Sequence, residues 1–223
     1  MGDMSEAYTE ARERIAAIAE ELSDDDLQAS VPACPAWTAT DVISHLAGIA
    51  VDTMAGVIEG AGSEAYTSRQ VEARKGKDVG AVIEEWREAK LETILDGLHP
   101  AIAGGIIGDL FTHEQDFRGA VGRPGGHDSK AFEIALDSYT RFLGRRIKEA
   151  GLPALTVEAA GTSWVAGKGD PVGTVSGEPF ELLRCLTGRR TLDEIRALGW
   201  STDPDPYLKI FAMYGIPDAS LSE

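Results

Sequence analysis

The stretch DLFTHEQDFRGAVGRPG, residues 109–125, sets Asp109, His113 and Asp116 at steps of four and three. That is the spacing of one face of an α-helix. Followed back to Pro100, the same steps collect Ile106 and Ile102; followed forward, they reach Ala120. The spacing therefore predicts a helix over residues 100–121 whose apolar stripe also carries two acids and a histidine. A carboxylate turned toward an apolar interior is costly unless it is paired, hydrogen-bonded or bound to a metal.

The same periodicity recurs along the first 150 residues. Residues 5–22 place Ala11, Ile15, Ile18 and Leu22 on one face. Residues 38–60 open with TATD, where Thr38 is a cap and Asp41 an acid in the first turn. Residues 78–98 and 129–150 carry further stripes through Trp86 and Leu143. Short Pro- and Gly-rich joints separate these segments, and residues 60–76 form a longer polar joint, read as a mobile loop or a short extra helix. Long helices with short joints predict an up-and-down bundle. The texture changes after Gly151. LTVEAAGTSWVAGKGDPVGTVSG reads as a strand, a turn at residues 167–171 and a second strand, followed by short helices or a helix–strand mixture. The expected domains are 1–151, helical, and 152–223, a small mixed domain that leans on the bundle for stability.

On the second long helix His45 falls between Val42 and Ile49, again on the inward side. Two helices thus each send a histidine toward one interior. Asp109 and His113, at i and i+4, have the spacing that lets two side chains grip one ion. Two imidazoles and one carboxylate suit Zn²⁺ or another divalent transition metal, and leave a coordination position open. The competing reading is a buried, hydrogen-bonded polar cluster that fixes helix register. Spacing leaves both open.

Composition narrows the partners. A net charge of −16 opposes nucleic acid and anionic membranes. No apolar run approaches the roughly 18 residues of a membrane span. The N-terminus is acidic and amphipathic, unlike a signal peptide. Two isolated cysteines, Cys34 and Cys185, make no disulfide framework and fit a reducing, cytoplasmic setting. The run Asp24–Asp26 lacks the alternating ligands and closing Glu of a calcium loop and reads as a solvated turn.

Two stretches, CPAWTATDVISHLAG (residues 34–48) and DLFTHEQDFRGAVGRPG, resemble the signature regions of the mycothiol-dependent maleylpyruvate isomerase family, which belongs to the DinB/YfiT-like metal-binding bundles. VSGEPFELLRCLTGRR in the C-terminal part looks like that family's small domain. The resemblance implies an α+β protein: a DinB-like up-and-down four-helix bundle followed by a small sterol-carrier-like α/β domain. It implies a divalent metal, zinc or alternatively nickel, held by His45 and by an acid-xxx-His pair that falls on Asp109 and His113. Aspartate stands where the family has glutamate, one methylene longer. The resemblance further implies mycothiol as thiol cosubstrate and a small-molecule electrophile as substrate, in an isomerase or S-transferase reaction, by a monomer or homodimer.

Other residues take smaller roles. Asp116 is expected to orient an imidazole N–H, or else to form a plain helix salt bridge. Arg118 faces away from the stripe and is expected to pair with a carboxylate or dock the C-terminal domain. Arg189 and Arg190 read as an exposed pair, or as contacts for substrate carboxylates. Cys34 reads as a small buried residue, His99 and His127 as surface residues, and Trp37 and Trp86 as core anchors. Two other functions remain open: a non-enzymatic protein that binds a metal or small ligand through a structural polar cluster, and metal-assisted hydrolysis with a base such as Glu114.

Overall fold

The computed structural model describes residues 2–221. Local signals set most helix starts. In the N-terminal unit, which runs to Gly126, α1 (Asp3–Glu21) is followed by a one-turn α2 (Asp24–Leu27) closed by a Ser23–Asp26 capping box. A two-stranded ribbon follows, β1 (Ser30–Val31) with β2 (Cys34–Thr38). α3 (Ala39–Met54) starts where expected: Thr38 Oγ1 accepts from the Asp41 N–H, and the Asp41 carboxylate accepts from the Thr38 N–H. Residues 60–76 contain a helix, α4 (Glu64–Glu72), capped by Ser63. The stretch read as one helix over 78–98 is two, α5 (Val79–Ala89) and α6 (Glu92–Leu95). Lys90 between them adopts a left-handed conformation, φ 55°, which ends α5. α7 (Pro100–Ala120) begins with His99 Nδ1 accepting from the Ala101 N–H and Pro100 in the first turn.

Four of these helices form the bundle: α1 packs on α7 and α5, and α3 packs on α5 and α7. Ile15, Ile43, Leu46, Ile83, Trp86, Ile107 and Phe111 fill it. Trp86 acts as the expected anchor and donates its Nε1–H to the Tyr8 hydroxyl at 2.6 Å. Among the described residues no helix is long and apolar enough to cross a membrane.

The second unit starts at His127. It includes α8 (Lys130–Glu149), although the sequence changes texture only after Gly151, because α8 packs on the sheet and on α9. The sheet contains β3 (Leu155–Ala159), β4 (Thr162–Ala166) and β5 (Thr174–Ser176). After α9 (Pro179–Leu186) and α10 (Leu192–Arg196) it gains β6 (Gly199–Trp200), and α11 (Asp205–Phe211) ends the unit. The strand order is β4-β3-β5-β6, with β3 and β5 parallel and the other neighbours antiparallel. Over residues 155–176 there are three strands where the sequence predicts two. Ala160 and Gly161, both at positive φ, make a two-residue hairpin turn inside what read as one strand. Leu155, Val157, Val175, Leu182, Leu183 and Phe211 are buried.

Arg189 and Arg190 are buried, not an exposed pair. Arg190 grips the Glu181 carboxylate with two hydrogen bonds, 2.7 and 2.9 Å. Arg189 donates to the Thr187 carbonyl and lies over the Tyr214 ring. Their positions follow from the turn after α9, where Thr187 is fully buried. Arg190 holds the Glu181 carboxyl below the usual glutamate value. A depressed folded-state pKa contributes stability above the unfolded value, about 4.3, and loses it as pH falls through the lower folded value. The acid limb of the urea unfolding midpoint is therefore expected to flatten in Glu181→Gln. An unchanged acid limb would remove this pair from the account. Burial pushes the Cys185 thiol up to about 12, which makes it an inert core residue.

Candidate metal centre

The stripe on α7 does not face the core along its whole length. Its exposure falls from 56% at Ile102, through half-buried Ile106 and Asp109, to 8% at His113 and 2% at Asp116. At the start of the helix the buried residues are Ala103 and Ile107, one position over from the expected isoleucines. The stripe runs from solvent inward, and Asp109 stands at the transition.

α3 brings His45 to that point. Its Nε2 lies 3.5 Å from Asp109 Oδ2, and His113 Nε2 lies 3.8 Å from Asp109 Oδ1. One ligand atom from each of the three residues lies within 4.8 Å of the other two. The imidazoles are nearly perpendicular, at 82° with centroids 5.0 Å apart. The shorter aspartate reaches both rings. Tetrahedral zinc with bonds of about 2.0–2.1 Å holds its ligand atoms roughly 3.3 Å apart, close to the two imidazole–carboxylate distances of 3.5 and 3.8 Å.

The outer ring nitrogens lie near further acceptors. His45 Nδ1 lies 2.8 Å from Gln70 Oε1, and His113 Nδ1 lies 3.1 Å from Asp116 Oδ2. Cys34, half-buried on β2, points its thiol at the same Asp116 oxygen, 3.9 Å away. Cys34, His113 and Asp116 also converge within 4.8 Å. This second set uses the outer side of His113, where a carboxylate orients the ring. Trp37 was expected in the core. It is half-buried instead, and its ring lies against both imidazoles, with centroids 5.1 and 5.7 Å away. It sits there because β2 ends directly in the cap of α3.

Gln70 was missed by sequence reasoning. It lies on α4 with Tyr66, and Arg74 follows just past the helix end; the three are buried at four-residue steps. That polar periodicity is the signal that marks α4 as a docked helix. Gln70 Nε2 donates to Asp52 Oδ2 at 2.8 Å, and Arg69 pairs with the same oxygen at 3.2 Å. Burial and then the Asp52 carboxylate raise the neighbouring Tyr66 phenol. Arg74 donates to the Gln70 carbonyl and to Glu85 on α5. Gly48, one turn after His45, lets α4 approach. A Cβ there would lie 2.5 and 2.7 Å from Gln70 Cβ and Cγ. Gly48→Ala is expected to cost about 1–3 kcal/mol as overpacking and to weaken cation binding. Equilibrium unfolding beside a zinc titration checks both.

Glu114, the candidate base, is held by two guanidiniums. It is fully buried, with Arg14 at 2.9 and 2.7 Å and Arg118 at 3.0 Å on its carboxylate. Arg118 thus pairs with a carboxylate of its own helix. His99 and His127 are exposed; His127 stacks on Phe180.

Residues 8–104 match the family model described as the mycothiol maleylpyruvate isomerase N-terminal domain. The matched span contains His45 and Gln70 and ends before Asp109 and His113. Two solved structures are similar over 89% of this chain and 92% of theirs, each with a TM-score of 0.54: the mycothiol-dependent maleylpyruvate isomerase, at 16% identity, and a histidine-to-alanine mutant of it, at 15%. At such identities the likeness shows the fold, a helical N-terminal domain with a small α/β domain. No curated protein matches the sequence. Over residues 8–104 the chain is similar to the mycothiol maleylpyruvate isomerase N-terminal domain.

Proposed function

We propose that the protein is a divalent-metal-dependent enzyme of maleylpyruvate isomerase type. In this reading it uses a low-molecular-weight thiol, mycothiol, as cosubstrate and acts on a small electrophile by isomerisation or S-transfer. One observation carries the metal. Each imidazole has its Nδ1 turned to an outer acceptor, Gln70 or Asp116, and its Nε2 turned to the Asp109 carboxylate. In neutral rings with the proton on Nδ1, both inner nitrogens are acceptors turned toward a carboxylate, a donor set that suits a cation.

The donor set fits zinc or nickel. A bound cation of this kind would hold a thiol as thiolate and polarise a substrate oxygen. His45, His113 and Asp109 would hold it, with Asp116 and Gln70 orienting the rings. Trp37 shields one side of the imidazoles from water. The arrangement around Glu114 disfavours the hydrolytic alternative, because that carboxylate is already committed to two guanidiniums.

The test is metal content by elemental mass spectrometry on untagged protein, followed by thiol-dependent turnover of activated cis-alkenes and other small electrophiles, with mycothiol compared against other thiols. Stoichiometric metal with thiol-dependent turnover supports the proposal. Metal without turnover with any thiol favours a binding protein. No metal after reconstitution overturns the enzyme reading.

A further inference from the structure

The hydrogen bonds behind His45 have a direction. Asp52 is a carboxylate paired with Arg69, so it can only accept. The Gln70 group 2.8 Å from it must be the NH₂, which turns Oε1 toward His45. An acceptor 2.8 Å from Nδ1 requires a proton on Nδ1. In a neutral ring Nε2 is then bare, and Nε2 is the atom 3.5 Å from Asp109. The orientation is held from three sides. Gly48 on α3 admits the Gln70 stem, Arg74 ties its carbonyl to Glu85 on α5, and Asp52 near the end of α3 takes its amide. Gln70 is itself only 2% exposed, so water does not compete for it.

We propose that Gln70, oriented by Asp52, is a positioning residue that locks His45 in its Nδ1–H tautomer and thereby presents Nε2 to the centre. The consequence for metal affinity rests on the proposed function; the tautomer does not.

The test starts with metal-free, ¹⁵N-labelled protein at a pH where the His45 ring is neutral. Two-bond ¹H–¹⁵N correlations report which ring nitrogen carries the proton. The wild type is expected to show Nδ1–H. Gln70→Leu, which fills the space but accepts nothing, is expected to move the ring toward the Nε2–H form. Gln70→Glu, sharing one proton with the Asp52 carboxylate beside it, restores an acceptor and is expected to restore Nδ1–H. Asp52→Asn lets the Gln70 amide turn over and is expected to give a mixture. Zn²⁺ alone, titrated against a chromophoric chelator, is expected to bind Gln70→Leu 10–100-fold more weakly and Gln70→Glu at least half as well as wild type. A purely structural Gln70 would lower stability without moving the tautomer.

Wild-type Nε2–H, or Nδ1–H unchanged in Gln70→Leu, overturns the proposal. Should Gln70→Leu not fold, the Asp52→Asn and Gln70→Glu spectra decide, and an unmixed Nδ1–H ring in Asp52→Asn overturns it. A wild type that shows the clamp but binds no zinc overturns the proposed function and leaves the clamp standing.

Discussion

His113→Ala is expected to empty the metal centre while leaving the bundle folded. Structural zinc binding in small domains amounts to about 10–16 kcal/mol over four ligands. One ligand is then worth roughly 3 kcal/mol, or about two decades of affinity. The substitution also removes the ring that Asp116 and Trp37 face. His45→Ala is expected to behave alike and to free the Gln70 oxygen as well. Asp109→Asn is the sharper probe, since it keeps the shape and removes the negative charge between the two Nε2 atoms. A metal ion held by these three residues is lost in all three variants. A metal that persists in Asp109→Asn but not in the histidine variants would place the ion on the imidazoles alone. A wild type that purifies and reconstitutes without metal would make the cluster a register-fixing polar network.

The residues of the cluster were legible because each sits on a long helix with clear periodicity. The i, i+4 spacing of Asp109 and His113 and the place of His45 between Val42 and Ile49 survive any small error in helix ends. The outer partners were not legible. Asp52 and Gln70 meet across a loop, and no spacing rule relates the end of α3 to α4. Arg14 and Glu114 are 100 residues apart, and only the packing of α1 on α7 joins them. Trp37 looked like core because tryptophan usually is; its position on a short ribbon strand turned it to the imidazoles. The burial of Arg190 depended on Glu181, nine residues earlier and on the far side of a helix end. In each case the missing information is tertiary, a contact between polar groups whose partners carry no periodic signal.

Glu114→Ala is expected to be strongly destabilising. Its carboxylate accepts from Arg14 Nε and Nη2 and from Arg118 Nε, within 2.7–3.0 Å, and its side chain is 0% exposed. Removing it takes from two guanidiniums the acid they share, in a place where charge is costly to strand. Removing one partner of a buried ion pair costs about 3–5 kcal/mol. The Arg14 side chain is 25% exposed, and water reaching it sets the expectation at the lower end, about 3 kcal/mol. That corresponds to a fall of roughly 6–12 °C in melting temperature for a chain of this size. Glu114→Gln, which keeps the shape and can still accept, is expected to lose less. Both variants should keep their full metal content, because Glu114 follows His113 on the helix but turns toward α1 rather than toward Asp109. Both should also keep thiol-dependent turnover per folded molecule. A Glu114→Gln protein with unchanged melting temperature and a collapsed turnover rate would reverse the assignment: the carboxylate would then be working on a proton, and its two arginines would be tuning it rather than holding α1 to α7.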